Sequence, residues 1–320
     1  MKLGLGGSCG VTGAALLAAL LGLAACGSAP PAPEPPPAPT ETPAALPPPP
    51  PETAPSAAQR AYYGQVQTAL LSQGLLRTDG GGEDAPFTDR NLSENFLKVA
   101  LYEEYAHGQI ATTRSQTAIR LLRWDQPVRL SIRFGPSVPP AKQAADRARV
   151  ASYLARLSTL TGHVITVTDR NPNFWLHFAS IDERAALGVA LSTELAELTP
   201  GQIASVTAMD RDTFCQVLTQ SDPVTSTYVA AVAVIPTEHP DLLRMSCIHE
   251  ELAQALGLPN DSNAARPSIF NDDEEFALLT RQDELMLRLL YNPALRPGMT
   301  EAQARPIVQT LASRLMGGES

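Results

Sequence analysis

Cys247-Ile248-His249-Glu250-Glu251-Leu252-Ala253-Gln254-Ala255-Leu256-Gly257-Leu258-Pro259-Asn260-Asp261 is the stretch on which the reading of this chain turns. Its apolar positions recur at helical spacing, and Gly257 and Pro259 stop a helix that runs from about Leu242 to Leu258. At about 100° per residue, Glu250, Glu251 and Gln254 share one sector of that helix, with Cys247 between them. Ile248, Leu252 and Ala255 form the opposite, core-facing stripe. His249-Glu250 opens like the zinc signature H-E-x-x-H, but four residues on stands Ala253, so that register lacks its second ligand. His249 also points about 140° away from Gln254, which marks it as a flank residue rather than a ligand.

Outward from that helix the pattern is mixed. Val128, Leu130, Ile132 and Phe134 alternate with Arg129, Ser131 and Arg133, the period of a half-buried strand closed by Gly135-Pro136. Ala141 to Leu160 predicts a long helix, with Ala145, Val150, Leu154 and Leu157 on one side and a stop at Thr161-Gly162. His163 to Thr168 and Phe174 to Phe178 read as strands parted by an Asn-Pro turn, and Tyr228 to Ile235 as an interior strand. Thr280 to Tyr291 predicts a late helix, with Thr280 as N-cap and Asp283 three residues on. Two helices come earlier, one over Ala57 to Leu76 and one from Asn91 to about His107. The stretches between Phe178 and Tyr228 and between Leu258 and Thr280 read as irregular. The fold class that follows is α+β, a mixed sheet with two long helices.

The 320 residues carry a net charge of −9 without a basic patch, which excludes nucleic acid as a partner. Charged residues at 18% and aromatics at 5% exclude a coiled coil and a charge-driven disordered chain. Of 29 prolines, 14 fall between Pro30 and Pro55, so that stretch is a tether and not a core. After Lys2, an apolar run from Val11 to Ala25 is too short to span a bilayer and ends in Leu23-Ala24-Ala25-Cys26. This resembles a bacterial lipobox, which implies cleavage before Cys26 and lipidation of its thiol; an ordinary secretory peptide is the other reading. Gly27, which is not aspartate, implies by the same resemblance an outer-membrane address facing the periplasm. At about 3.1 Å per residue in polyproline II, the tether reaches roughly 80–90 Å. In an oxidising envelope, Cys215 and Cys247 predict one disulfide that contributes about 3 kcal/mol, with two separate buried thiols as the alternative.

Moved by one residue, the opening stretch reads Glu250-Glu251-x-x-Gln254-x-x-Gly257-x-x-Asn260, the spacing of H-E-x-x-H-x-x-G-x-x-H. It thereby resembles the metzincin peptidases, a zincin fold. The resemblance puts the general base on Glu251, the turn on Gly257 and the three zinc positions on Glu250, Gln254 and Asn260. Ser268-Ile269-Phe270-Asn271 resembles the turn beneath the metal, with Phe270 in place of methionine. Cys247 to Asp261 and Arg266 to Asp273 also closely resemble a bacterial lipoprotein family known as domain of unknown function 2927, whose opening Trp124 to Gly135 fits as well. The organisation this implies is a signal peptide over 1–25, a lipidated linker over 26–56, a helical region over 57–123 and a metzincin-like domain over 124–320.

Zinc hydrolysis needs ligands that Glu, Gln and Asn do not supply as imidazoles, so zinc is not expected. An oxygen-only set at Glu250, Gln254, Asn260 and Asp261 suits Ca²⁺, Mg²⁺ or Mn²⁺ if a metal binds. Alternatively, the Gln254 and Asn260 amides donate to Glu250 in a polar network, and no cofactor is required. Glu250 and Glu251 are close enough for repulsion to raise one pKa. Asn271-Asp272-Asp273-Glu274-Glu275 reads as a solvated acidic loop, and His107, His163, His177 and His239 form no group, with His163 and His177 placed on strands as packing residues. The expected function is an envelope-anchored, non-catalytic pseudopeptidase that binds a peptide, glycan or protein; the alternative is a metal-assisted hydrolase with Glu251 as base.

Overall fold

A computed structural model describes residues 49–103, 117–196 and 198–317. The segment read as a signal peptide, Cys26, most of the proline-rich stretch and His107 lie outside the described residues. Residues 47–320 form one compact unit.

Thr53 caps helix α1 (Ala54–Ser72) by accepting the Ser56 N–H, and Thr88 caps α2 (Asp89–Ala100) in a reciprocal pair with Asn91. Both helices start earlier than their apolar periodicity suggested, because their caps lie upstream of the first apolar residue. α2 also ends before the predicted His107. A short antiparallel ladder joins β1 (Tyr102–Glu103) to β2 (Thr117–Ala118). Then come β3 (Val128–Phe134), α3 (Pro140–Thr161), β4 (Ile165–Val167) and β5 (Phe174–Ala179). Pro140 opens α3 and Gly162, at φ 67°, closes it in the left-handed region. His163 lies before β4 rather than on a strand.

The stretch read as irregular before Tyr228 contains α4 (Ile181–Arg184), α5 (Leu187–Glu194), α6 (Pro200–Thr207) and strand β6 (Gln216–Asp222). β7 (Thr227–Pro236), α7 (Asp241–Gln254), α8 (Arg281–Leu290) and α9 (Glu301–Leu315) complete the fold. No element was predicted from the sequence where α9 lies. The sheet order is β4-β3-β5-β7-β6, with the first four strands parallel and β6 antiparallel at the edge.

β7 is apolar throughout because both its faces are covered. Ala231, Ala233 and Ile235 join the main core with α2, α3, α7, α8 and α9, whereas Ala230, Val232 and Val234 pack on Leu191, Leu195 and Val206 of the α5–α6 side. α2 gives Leu92, Phe96, Leu97, Val99 and Ala100 to the same core as the sheet. Cys215 and Cys247 form a disulfide with a Cα separation of 5.8 Å, which ties α7 to the segment leading into β6.

Candidate functional site

α7 ends at Gln254, and the chain turns at Gly257, where φ is 124°. A Cβ built there would stand 2.3 Å from the Leu122 carbonyl oxygen, so only glycine lets the two backbones meet. The carbonyls just past the helix are held by side chains from outside it. Trp124 Nε1 donates to the Ala255 oxygen at 2.8 Å and Tyr291 Oη to the Leu256 oxygen at 3.0 Å.

On this corner Glu251 is buried at 4% exposure, while Glu250 and Gln254 are half-buried. The predicted donation of both amides to Glu250 is not what forms. Gln254 Nε2 donates to Asp261 Oδ1 at 3.2 Å. Asn260 is fully buried and turns to α2, its Nδ2 donating to the Lys98 oxygen at 3.0 Å and its backbone N–H to the Val99 oxygen at 3.1 Å. α2 ends against this loop, and its exposed-end carbonyls claim the asparagine. Glu251 Oε2 and Asn260 Oδ1 are buried without a hydrogen-bond partner.

Carboxylates gather on the same side. Burial, followed by the charges of Asp261, Glu251, Glu274 and Asp272, holds the Glu250 carboxyl well above its ordinary pKa. Burial and Asp261 do the same to Glu251. Glu274 is pushed up to about 7 by burial and by Asp272 and Asp273. The acidic loop predicted to be solvated is therefore partly so, with Asp272 and Asp273 exposed and Glu274 half-buried.

The turn at Ser268-Ile269-Phe270-Asn271 is organised by Asp283, which is fully buried. Its carboxylate accepts from Ser268 Oγ at 2.6 Å, from the Ile269 N–H at 3.1 Å, and from both the N–H and Oγ1 of Thr280 at 2.8 Å. Phe270 is fully buried in the main core with Leu252, Leu256 and Leu258, and Asn271 Nδ2 donates to the Ala265 oxygen. Thr280 and Asp283 thus cap α8 as their spacing predicted, and the same carboxylate fixes the turn.

His249 is not a surface flank residue. It is buried, stacked on Tyr153 with ring centroids 3.9 Å apart, and its Nδ1 accepts the Leu279 N–H at 3.0 Å. Burial lowers its pKa to about 3, so the ring is neutral. His163 bonds the Gln126 oxygen and His177 bonds Glu194 at 2.7 Å.

A second polar cluster went unread in the sequence. Glu238 and His239 leave β7, and Arg184 and Arg244 close around them, each buried to 2% exposure or less. Its one legible signal is the polar Thr237-Glu238-His239-Pro240 directly after a buried strand, the place where open α/β sheets put ligands.

Comparison with curated proteins and with solved structures yields no match. Residues 89–310 match the family described as protein of unknown function (DUF2927), and since that span takes in β3 to α8 and the whole Glu250–Asp283 corner, this chain is a member of that family.

Proposed function

We propose that this protein is a lipid-anchored envelope lipoprotein whose metzincin-like domain binds a partner without catalysing a reaction. Cys26 holds it to the membrane, with an outer-membrane, periplasm-facing address, and the proline-rich tether sets its reach. The order of long helix, parallel strands, antiparallel edge strand, glycine-terminated helix and buried turn supports the metzincin-like reading.

The observation that carries the loss of catalysis is where the amides at two of the three positions equivalent to zinc ligands go. Gln254 Nε2 donates to Asp261 and Asn260 Nδ2 to Lys98, so both amide nitrogens serve the protein's own framework and neither serves Glu250. What remains at the corner is a set of acids with raised pKa values, a surface for a peptide, glycan or protein. A metal-assisted hydrolase is the second reading, favoured by one fact: Glu251 keeps a buried oxygen without a partner.

One experiment separates them. The full chain is incubated with a synthetic peptide library, with and without calcium, magnesium, manganese or zinc, and the products are followed by mass spectrometry. Cleavage no greater than that of Glu251→Gln is expected. Metal-dependent cleavage that Glu251→Gln abolishes would establish the hydrolase instead.

A further inference from the structure

The disulfide between Cys215 and Cys247 joins two sulfurs in unlike surroundings. Cys247, on α7, is buried in the main core at 1% exposure. Cys215 is half-buried, and Arg211, Asp212 and Thr213 just before it in the chain are exposed. A reagent from solvent therefore meets the disulfide at Cys215 and not at Cys247.

Beside the buried sulfur stands an imidazole. His239 Nδ1 is 3.8 Å from Cys247 Sγ. A disulfide sulfur bears no hydrogen, so in this contact Nδ1–H is the donor. The ring is held in that aim by two aromatic rings set edge-on to it, Tyr63 of α1 with centroids 4.2 Å apart and Phe214 at 6.3 Å. His239 and Arg244 also line a cavity of about 650 Å³ outside the carboxyl ends of β3, β5 and β7, with further walls from Pro50–Thr53, Ser137 and Ser180. His239 thus joins the wall of that cavity to the disulfide.

The charges around the imidazole favour an anion at the sulfur. Burial and then the Arg244 and Arg184 charges hold the His239 pKa well below the usual histidine range, so the ring is neutral. Arg244 is paired with Asp146 at 2.8 Å, while Arg184, at 1% exposure, donates to the Met209 oxygen at 3.3 Å. The carboxylate next in the chain, Glu238, accepts from the Ser56 hydroxyl and the Ile181 N–H. The positive field that disfavours an imidazolium favours a thiolate 3.8 Å away, and arginine neighbours lower a thiol's pKa. In disulfide exchange the thiol of lower pKa leaves faster.

We propose that Cys215–Cys247 is a thiol-exchange site, modified at Cys215 by a small thiol, with Cys247 as the leaving group. The thiolate of the incoming molecule attacks Cys215 Sγ, and a new S–S bond forms there. The Cys215–Cys247 bond breaks, and its electron pair leaves on Cys247 Sγ. His239 Nδ1–H donates to the thiolate so formed. One disulfide replaces another, so no oxidant or reductant is consumed. The product carries the small thiol on Cys215 and no longer ties α7 to the segment leading into β6. The inference is independent of the Glu250–Asp283 corner and of the membrane anchor.

In the test, the full chain is incubated with reduced glutathione at about 5 mM, quenched in acid, alkylated with N-ethylmaleimide after unfolding, and mapped by mass spectrometry. Glutathione on Cys215 and N-ethylmaleimide on Cys247 are expected. The rate is expected to fall about tenfold or more in His239→Phe, which keeps a ring against Tyr63 and Phe214 but removes the donor. The position of the adduct is read on the parent chain, so it decides the matter even where His239→Phe does not fold. Glutathione on Cys247 would overturn the proposal. So would an unchanged rate in folded His239→Phe, or a disulfide that stays intact in the native chain under thiol conditions that open it fully in urea.

Discussion

At its carboxyl end, α7 meets buried groups that hold backbone: His249 takes the Leu279 N–H, Asn260 serves Lys98, and Trp124 and Tyr291 close the helix carbonyls. The unpaired atoms left there, Glu251 Oε2 and Asn260 Oδ1, are both acceptors. At its amino end the unpaired atoms are two donors, Arg184 Nε and Arg244 Nε, and two acceptor-capable atoms, Glu238 Oε2 and His239 Nε2. Beside the first set Glu250 and Glu251 have raised pKa values, because burial and the Asp261 charge disfavour their ionised forms. The second set sits among charges of both signs, with Arg244 paired to Asp146 and the Arg184 and Arg244 charges beside His239. The same helix therefore carries an acidic end and a mixed-charge end.

The sharpest way to break the corner is Gly257→Ala. The clash with Leu122 and the positive φ predict a loss of about 3 kcal/mol or more, read as a lower urea midpoint at unchanged slope. A midpoint within error of the parent would show that the corner is soft.

The two histidines give the next contrast. His249→Phe strands the buried Leu279 N–H and is expected to cost about 2 kcal/mol in the same measurement. His239→Phe removes an acceptor that had no partner, so its cost is expected to stay within about 1 kcal/mol, or to become a small gain. Equal losses from both would erase the distinction between the two ends.

A third effect is in the pH dependence. Glu250, Glu251 and Glu274 have folded pKa values above their unfolded ones, so the folded state binds more protons and loses stability as pH rises. His249 and His239 act in the opposite sense, but only below about pH 6.5, where the unfolded chain would protonate them. Above about pH 6.5 the raised carboxyls dominate and thermal stability should decline, with Glu274 contributing up to its pKa of about 7 and Glu250 and Glu251 continuing beyond it. Glu250→Gln should flatten that decline in a calorimetric series; a slope steeper than the parent's would mean that the acids are ionised in the fold.

Much of the frame was legible because it obeys local rules. The alternation in β3, the apolar run of β7, the Gly162 stop of α3 and the Thr280–Asp283 cap of α8 each need only a few neighbouring residues to be read. β6 was not legible, since all seven of its residues are half-buried and a bulge breaks it at Gln220/Ser221. α5 and α6 have eight residues each, too few for a periodic signal, and α9 carries Pro306 inside it. At the corner the sequence spacing found the right residues but not their partners. Asn260's choice of Lys98 depends on where α2 ends, more than 160 positions away. The cavity was invisible for the same reason, being assembled from four segments that meet only in the folded chain.

The disulfide gives this comparison a mechanical side. Cys247 sits at the midpoint of α7, pinned to Cys215, with the corner on one side of the pin and the cavity on the other. Buried residues lie on both sides of that pin, from Leu243 to Ala253, so the helix is anchored along its length and the bond to Cys215 adds a covalent tie between the core and the antiparallel edge of the sheet.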